Sequence, residues 1–198
     1  MSQEIEIEFK NLLTKTEFEA FKTSFNITDD DFITQENHYF DTPNFLLKSR
    51  QSALRIRKKQ DVYFLTLKQP HKEGLLETHQ KITEEEAKLL LSNKAEVFID
   101  GEVKEAILKL DIDPQAITYL GTLKTNRAEI RDGENLLVLD HSFYLNHEDY
   151  ELEYEVQNKE TGKERFLALL QQHNVPLRPA KNKILRFFET KAKEEEKS

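Results

Sequence analysis

The most constraining stretch of this chain is its start, Glu4-Ile5-Glu6-Ile7-Glu8-Phe9-Lys10, where charged and apolar residues alternate without a break. A period of two places Glu4, Glu6, Glu8 and Lys10 on one face of a strand and Ile5, Ile7 and Phe9 on the other. The pattern returns late in the chain, with Glu151, Glu153 and Glu155 set against Leu152, Tyr154 and Val156. Arg55 and Arg57 alternate with Leu54 and Ile56, Thr66 and Lys68 with Leu65 and Leu67, and Thr125, Arg127, Glu129 and Arg131 with Asn126, Ala128 and Ile130. For any one strand, an antiparallel sheet with one wet face accounts for this. Two features point further. The charges segregate by strand, acids on some and Arg or Lys on others. Three carboxylates in a row also repel one another unless a cation lies between them. A sheet curled so that its charged face points inward meets both conditions, and such a barrel suits a polar ligand.

The rest of the chain supplies the material for that architecture. Further strands are expected over 35–41, 53–59, 62–69, 75–81, 119–131 and 136–140, and the acidic strand spans 150–157. Gln60-Asp61 and Asp132-Gly133 read as hairpin turns and Thr42-Pro43-Asn44 as a turn. Capping boxes at Thr16/Glu19, Thr83/Glu86 and Thr161/Glu164 open three helices, and a fourth helical piece is expected around 103–110. Residues 182–189 read as a last strand or short helix. The expected fold is therefore α+β, mostly antiparallel, with about eight strands. One domain over residues 1–190 is expected, followed by a charged, frayed tail over 191–198. Phe18, Phe21 and Phe25 belong to the core.

Composition removes several chemistries. The chain has 198 residues and no Cys, so disulfides, thiolate metal sites and Cys nucleophiles are excluded. Only 5 glycines are present and neither a P-loop nor a dinucleotide fingerprint occurs. The formal charge of −8 argues against a nucleic-acid partner. No apolar run is long enough to span a bilayer, and Met1-Ser2-Gln3-Glu4 opens no signal peptide, so a cytoplasmic protein without a membrane partner is expected. Carboxylates from two strands are hard ligands suited to Mg²⁺ or Mn²⁺, whereas Arg and Lys on other strands suit phosphate oxygens. Both together fit a highly anionic ligand that arrives with a metal, and a polyphosphate has that character. Asp41 reads as a turn former, and Glu77 and Lys124 as either ligand-facing or ordinary surface charges. The six His show no helical metal spacing.

These residues resemble the CYTH, or triphosphate tunnel metalloenzyme, family. Glu6-Ile7-Glu8-Phe9-Lys10 is similar to its Glu-x-Glu-x-Lys signature, Tyr39-Phe40-Asp41-Thr42 to its Tyr-Phe-Asp-Thr turn, Leu54-Arg55-Ile56-Arg57 to Leu-Arg-x-Arg, and Thr66-Leu67-Lys68 to Thr-x-Lys. Arg127, Asp140 and the Glu151–Glu155 run follow in the family's order, and Lys183 with Arg186 resembles the terminal Ser-Lys-x-x-Arg element, with Asn182 in place of Ser. The extra Glu4 allows a second register with Glu4 and Glu6 as the metal pair; the register Glu6/Glu8/Lys10 is preferred because it keeps the lysine. The chain looks most like the short, single-domain members of low-GC Gram-positive bacteria.

The resemblance implies an eight-stranded antiparallel β-barrel, a tunnel with a charged interior and peripheral helices. It also implies a small triphosphate substrate hydrolysed with Mg²⁺ or Mn²⁺. Glu6, Glu8, Asp140, Glu151, Glu153 and Glu155 are the implied metal ligands. Lys10, Arg55, Arg57, Lys68, Arg127 and Lys183 are the implied substrate-binding residues, and Glu6, Glu8, Lys10, Glu153 and Glu155 the catalytic group. Two other functions stay open: a cyclase making cyclic AMP from ATP, and a polyphosphate or nucleotide sensor that has lost the chemistry.

Overall fold

The alternating segments close on one another as a barrel. The computed structural model describes residues 3–59, 61–92 and 98–195. Its strands are β1 (Gln3–Leu13), β2 (Ile33–Asp41), β3 (Ala53–Lys59), β4 (Val62–Pro70), β5 (Leu75–Ile82), β6 (Thr118–Asp132), β7 (Asn135–Tyr144) and β8 (His147–Val156). They form a closed antiparallel barrel in the order β1-β5-β4-β3-β2-β6-β7-β8. The first strand serves two neighbours, its residues Gln3–Glu6 pairing with β5 and Ile7–Leu13 with β8. Gly133, at φ +66°, takes the first loop position between β6 and β7, where glycine carries no steric penalty. A second two-residue hairpin at Leu145 and Asn146 lets β7 run four residues beyond the expected strand end at 140. Gln60 of the expected Gln60-Asp61 turn lies outside the described residues.

Among the described residues, six α-helices accompany the strands: α1 (Lys15–Ser24), α2 (Leu46–Ser49), α3 (Glu84–Leu91), α4 (Glu102–Leu108), α5 (Lys159–Gln172) and α6 (Lys183–Glu195). Two capping expectations shift. The first box is Thr14/Glu17, with Glu17 N–H donating to Thr14 Oγ1 at 3.2 Å, and not the overlapping Thr16/Glu19. The third helix-start residue is Asn158, whose Oδ1 accepts from the amides of Glu160 and Thr161, so Thr161 lies inside α5. Thr83/Glu86 caps α3 as expected. The ambiguous segment from 182 is the helix α6; its winding continues through 191–195, and residues 196–198 lie outside the description.

Two compact units share the strands: residues 3–6 with 35–123, and residues 7–34 with 124–195. In the first, Leu54, Ile56, Leu65 and Leu67 from β3 and β4 are fully buried beneath Ala87 and Leu90 of α3 and Val103 and Ile107 of α4. In the second, Leu137, Leu139, Leu152 and Tyr154 of β7 and β8 pack against Phe18 and Phe21 of α1 and Phe166 and Leu169 of α5. Each buried Leu or Phe side chain contributes roughly 1.5–3 kcal/mol of hydrophobic stabilisation. The helices α3 and α4 in the first unit and α1 and α5 in the second cover the apolar parity of the strands, which leaves the charged parity on the other face of the closed sheet.

Candidate functional site

In the second unit, register brings the charges together. Lys10 pairs with Glu153 and Glu8 with Glu155 across β1 and β8; Asp140 pairs with Glu151 across β7 and β8, and Arg127 with Asp140 across β6 and β7. Arg127 donates Nε to Asp140 Oδ1 at 2.8 Å and Nη2 to Asp140 Oδ2 at 2.6 Å and Glu153 Oε2 at 2.5 Å. Lys10 Nζ lies 2.6 Å from Glu8 Oε1 and 3.8 Å from Glu153 Oε1. The first turn of α6 then adds two cations one turn apart. Lys183 Nζ is 2.8 Å from Asp140 Oδ2 and 2.5 Å from Glu153 Oε1, and also contacts Glu151 Oε1. Arg186 reaches Glu151 Oε2 at 2.5 Å and Asp149 Oδ2 at 2.9 Å.

Asp140 and Glu151 are fully buried and Glu153 nearly so. Buried charges persist only when compensated, and the direction of each shift follows from its neighbours. Burial works to raise the Glu153 carboxyl, yet Lys183, Arg127 and Lys10 hold it well below the usual carboxylate range. Asp140 is likewise lowered, its burial outweighed by Arg127 and Lys183. Glu151 goes the other way: burial, reinforced by neighbouring Glu153, pushes it up despite Lys183 and Arg186. Burial opposes the charge on Lys10, Arg127 and Lys183, but the surrounding carboxylates raise all three.

The first unit holds a second, more open set. Lys68 Nζ donates to Glu6 Oε2 at 2.5 Å and contacts Glu77 Oε1. His79 Nε2 lies 3.1 Å from Glu4 Oε1 and 3.4 Å from Glu77 Oε2, and its Nδ1 is 2.9 Å from Thr66 Oγ1. Burial raises the Glu6 carboxyl against the pull of Lys68, with the adjacent Glu77 adding to the rise. Burial also works to raise Glu77, but Lys68, the hydrogen bond with Glu6 and the nearby Arg55 bring it down to about 2. Arg57 Nε donates to Asn37 Oδ1 at 2.7 Å. Arg55 Nε, by contrast, is buried and has no hydrogen-bond partner among the described residues.

Among the described residues, two groups place ligand atoms within 4.8 Å of one another: Asp140, Glu151 and Glu153 in the second unit, and Glu4, Glu77 and His79 in the first. The first of these is entirely carboxylate and buried, a donor set that fits a hard divalent cation. It does not take in Glu6, Glu8 or Glu155, which the resemblance implies as metal ligands. Glu6 is engaged by Lys68 and Glu77, Glu8 by Lys10, and Glu155 sits opposite Glu8 and Leu136. Sequence reasoning left Glu77 undecided; its pairing with both Glu4 and Lys68 puts it on the charged face. Lys124 pairs with Phe143 on the opposite parity and is exposed. Asp41 is the expected turn former, its carboxylate accepting from the amides of Thr42, Leu47 and Lys48. Arg186, Asp149 and His79 were not among the expected site residues. The i, i+3 spacing of Lys183 and Arg186 carried a signal for the first of them once the segment is helical.

The CYTH-domain profile matches residues 4–188, and the chain belongs to that family. It is 52% identical over 194 residues to a Bacillus subtilis (strain 168) protein named "Putative triphosphatase YjbK", covering 98% of this chain and 99% of that one. A solved Bacillus halodurans structure, described as a "putative adenylate cyclase", superposes with a TM-score of 0.90 at 45% identity, covering 95% of this chain and all of the other. A Hippeastrum protein, HpAC1, has the same fold at a TM-score of 0.77 and 23% identity, over 94% of this chain and 96% of its own. No described helix is long and apolar enough to cross a membrane.

Proposed function

We propose that the chain is a divalent-metal-dependent phosphohydrolase acting on a small triphosphate. The observation that carries this reading is the buried trio Asp140, Glu151 and Glu153, ringed by Lys10, Arg127, Lys183 and Arg186. Three carboxylates in so dry a place fit a cation, and their all-oxygen character favours Mg²⁺ or Mn²⁺ over softer metals. The relative named "Putative triphosphatase YjbK", 52% identical over 98% of this chain and 99% of its own, supports the substrate class.

In this reading Asp140, Glu151 and Glu153 hold the metal, which when bound polarises the phosphoryl group and neutralises its oxygens. Arg127 fixes the two carboxylates it bridges, so that the site is preorganised before ligand enters. Lys10 and Lys183 carry positive charge that their acidic neighbours hold against the opposing effect of burial, which suits them to phosphate oxygens as charge spreads over these in a loose transition state. The resemblance assigns the same task to Arg55, Arg57 and Lys68 of the first unit, and the unpartnered Nε of Arg55 is consistent with a donor awaiting an anion. The resemblance assigns Glu6 to metal coordination as well, and Glu8 and Glu155 to further metal ligation or to orienting water. The chain carries out this reaction as one domain over residues 1–190, in the cytoplasm, with no nucleic-acid or membrane partner.

The second reading, an ATP cyclase, is favoured by the description of the 45%-identical Bacillus halodurans structure. One assay separates the two. Purified protein with Mg²⁺ or Mn²⁺ releases orthophosphate from tripolyphosphate, and Asp140→Asn or Glu153→Gln abolishes the release. Cyclic AMP formed from ATP faster than phosphate is released would establish the cyclase instead. Tripolyphosphate binding with no turnover in either metal would leave a sensor.

A further inference from the structure

The most informative cation in the buried trio belongs to the protein itself. An ammonium has three donors and no acceptor. All three of the nearest carboxylates to Lys183 Nζ are the members of the metal-capable group: Asp140 at 2.8 Å, Glu153 at 2.5 Å, and Glu151 in contact. Their ligand atoms lie within 4.8 Å of one another, so a single cation can satisfy them together. The ammonium thus stands among the oxygens that a divalent ion would need.

Lys183 is the first residue of α6, and it does not dock alone. Arg186, one turn on, ties the same helix to Glu151 and Asp149 of β8, and Phe187 is buried with its ring 6.4 Å from that of Tyr144. Seating of this first turn is therefore coupled to the charge state of the trio. Asp140 and Glu153 do not depend on Lys183 for their placement, because Arg127 independently bridges them, and Glu151 is held by Arg186 as well.

We propose that Lys183 is a tethered competitor for the divalent cation: metal entry expels its ammonium from the Asp140–Glu151–Glu153 group and loosens the first turn of α6. The proposal rests on the reading of that trio as the metal centre. Ion and ammonium draw on one set of oxygens, so each weakens the other's hold by the same factor, as linkage requires. Expelled from the trio, the ammonium becomes available to an anion that arrives with the metal, whereas the metal-free protein keeps its carboxylates neutralised and its last helix docked.

Calorimetric titration of Mn²⁺ into the full chain, without substrate, tests this. Lys183→Met is expected to bind Mn²⁺ about 5–150-fold more tightly than the wild type, the usual span of such couplings. Equal or weaker binding by Lys183→Met, with both proteins binding the ion, overturns the competition and leaves the metal centre standing. No Mn²⁺ binding by either protein sinks the metal-centre reading and the competition with it. The wild type provides a second measurement that does not depend on the variant folding. Mn²⁺ is expected to speed hydrogen–deuterium exchange of the amides over 184–190, and unchanged or slower exchange overturns the proposal.

Discussion

The two units of the barrel line it with charge in different ways. In the second, four cations and the carboxylates they bridge form a buried network in which Asp140 and Glu153 each answer to at least two cations. In the first, one lysine is shared between two acids, Glu6 is raised while Glu77 is lowered, and the buried Nε of Arg55 has no hydrogen-bond partner among the described residues. The difference teaches where ion pairing stabilises and where it leaves room for a ligand. A network dense in ion pairs holds its geometry with nothing bound. A sparser one stores binding capacity at some expense to the fold.

The sharpest way to break this comparison is to neutralise one acid in each unit. Glu153→Gln leaves Arg127, Lys10 and Lys183 short of a buried counter-charge, a loss on the order of 3–5 kcal/mol. Glu6→Gln, at a carboxyl whose charge burial already disfavours, should lose about 1 kcal/mol or less. Urea midpoints of the two variants measure both, and equal losses would erase the distinction between the units. Next in size is Arg55→Gln. Its folding stability should stay within about 0.5 kcal/mol of the wild type. Its affinity for tripolyphosphate should fall by roughly 1.5–3 kcal/mol, the worth of a charged hydrogen bond. Loss of folding stability with binding intact would show that Arg55 is structural.

These contrasts were only partly legible in the amino-acid sequence. Parity along each strand placed Glu6, Lys10, Arg55, Lys68, Arg127 and Glu153 on the charged face without any coordinates. Parity is blind to register between strands, however. Which acid meets which base is set by pairings such as Lys10 with Glu153 and Lys68 with Glu77, fixed by hairpin lengths and by the way β1 divides its edge between β5 and β8. That is why the metal-capable trio came out as Asp140, Glu151 and Glu153, with Glu6 drawn to Lys68 and Glu77 instead. The segment from 182 was illegible for another reason. Asn182 to Phe188 reads as apolar and basic at either period, and what makes it helical is the docking of Lys183, Arg186 and Phe187, a tertiary fact.

Acidity sharpens the comparison within the second unit. Glu153 is lowered in the folded state, so its contribution is present above the unfolded carboxylate pKa and disappears as pH falls through the folded value. Glu151 is raised, so its contribution is present below the unfolded pKa and is lost as pH rises through the folded value. The stability penalty of Glu153→Gln should therefore be larger at about pH 7 than at about pH 4, and that of Glu151→Gln larger at about pH 4 than at about pH 7. Urea titrations at both pH values decide it. Penalties that move together would mean that the two carboxylates titrate as one group.

The smallest effects fall on the outside of the barrel, where the two units should not differ at all. Thr14 caps α1 in the second unit and Thr83 caps α3 in the first, each with a reciprocal glutamate, Glu17 or Glu86, three residues on. Both lie at exposed helix starts remote from the charged lining, so Thr14→Ala and Thr83→Ala should each cost about 1 kcal/mol. The double variant should lose the sum to within about 0.5 kcal/mol, as independent sites do. Thr16→Ala, inside the first turn of α1, removes no cap and should change stability by no more than a few tenths, about 0.5 kcal/mol at most. Matched losses at the two caps beside unmatched losses at Glu153 and Glu6 would locate the difference between the units in their charged interiors. A cap loss much larger in one unit would instead mean that the units differ in general stability, and the contrast between Glu153 and Glu6 would then carry no meaning about ligand binding.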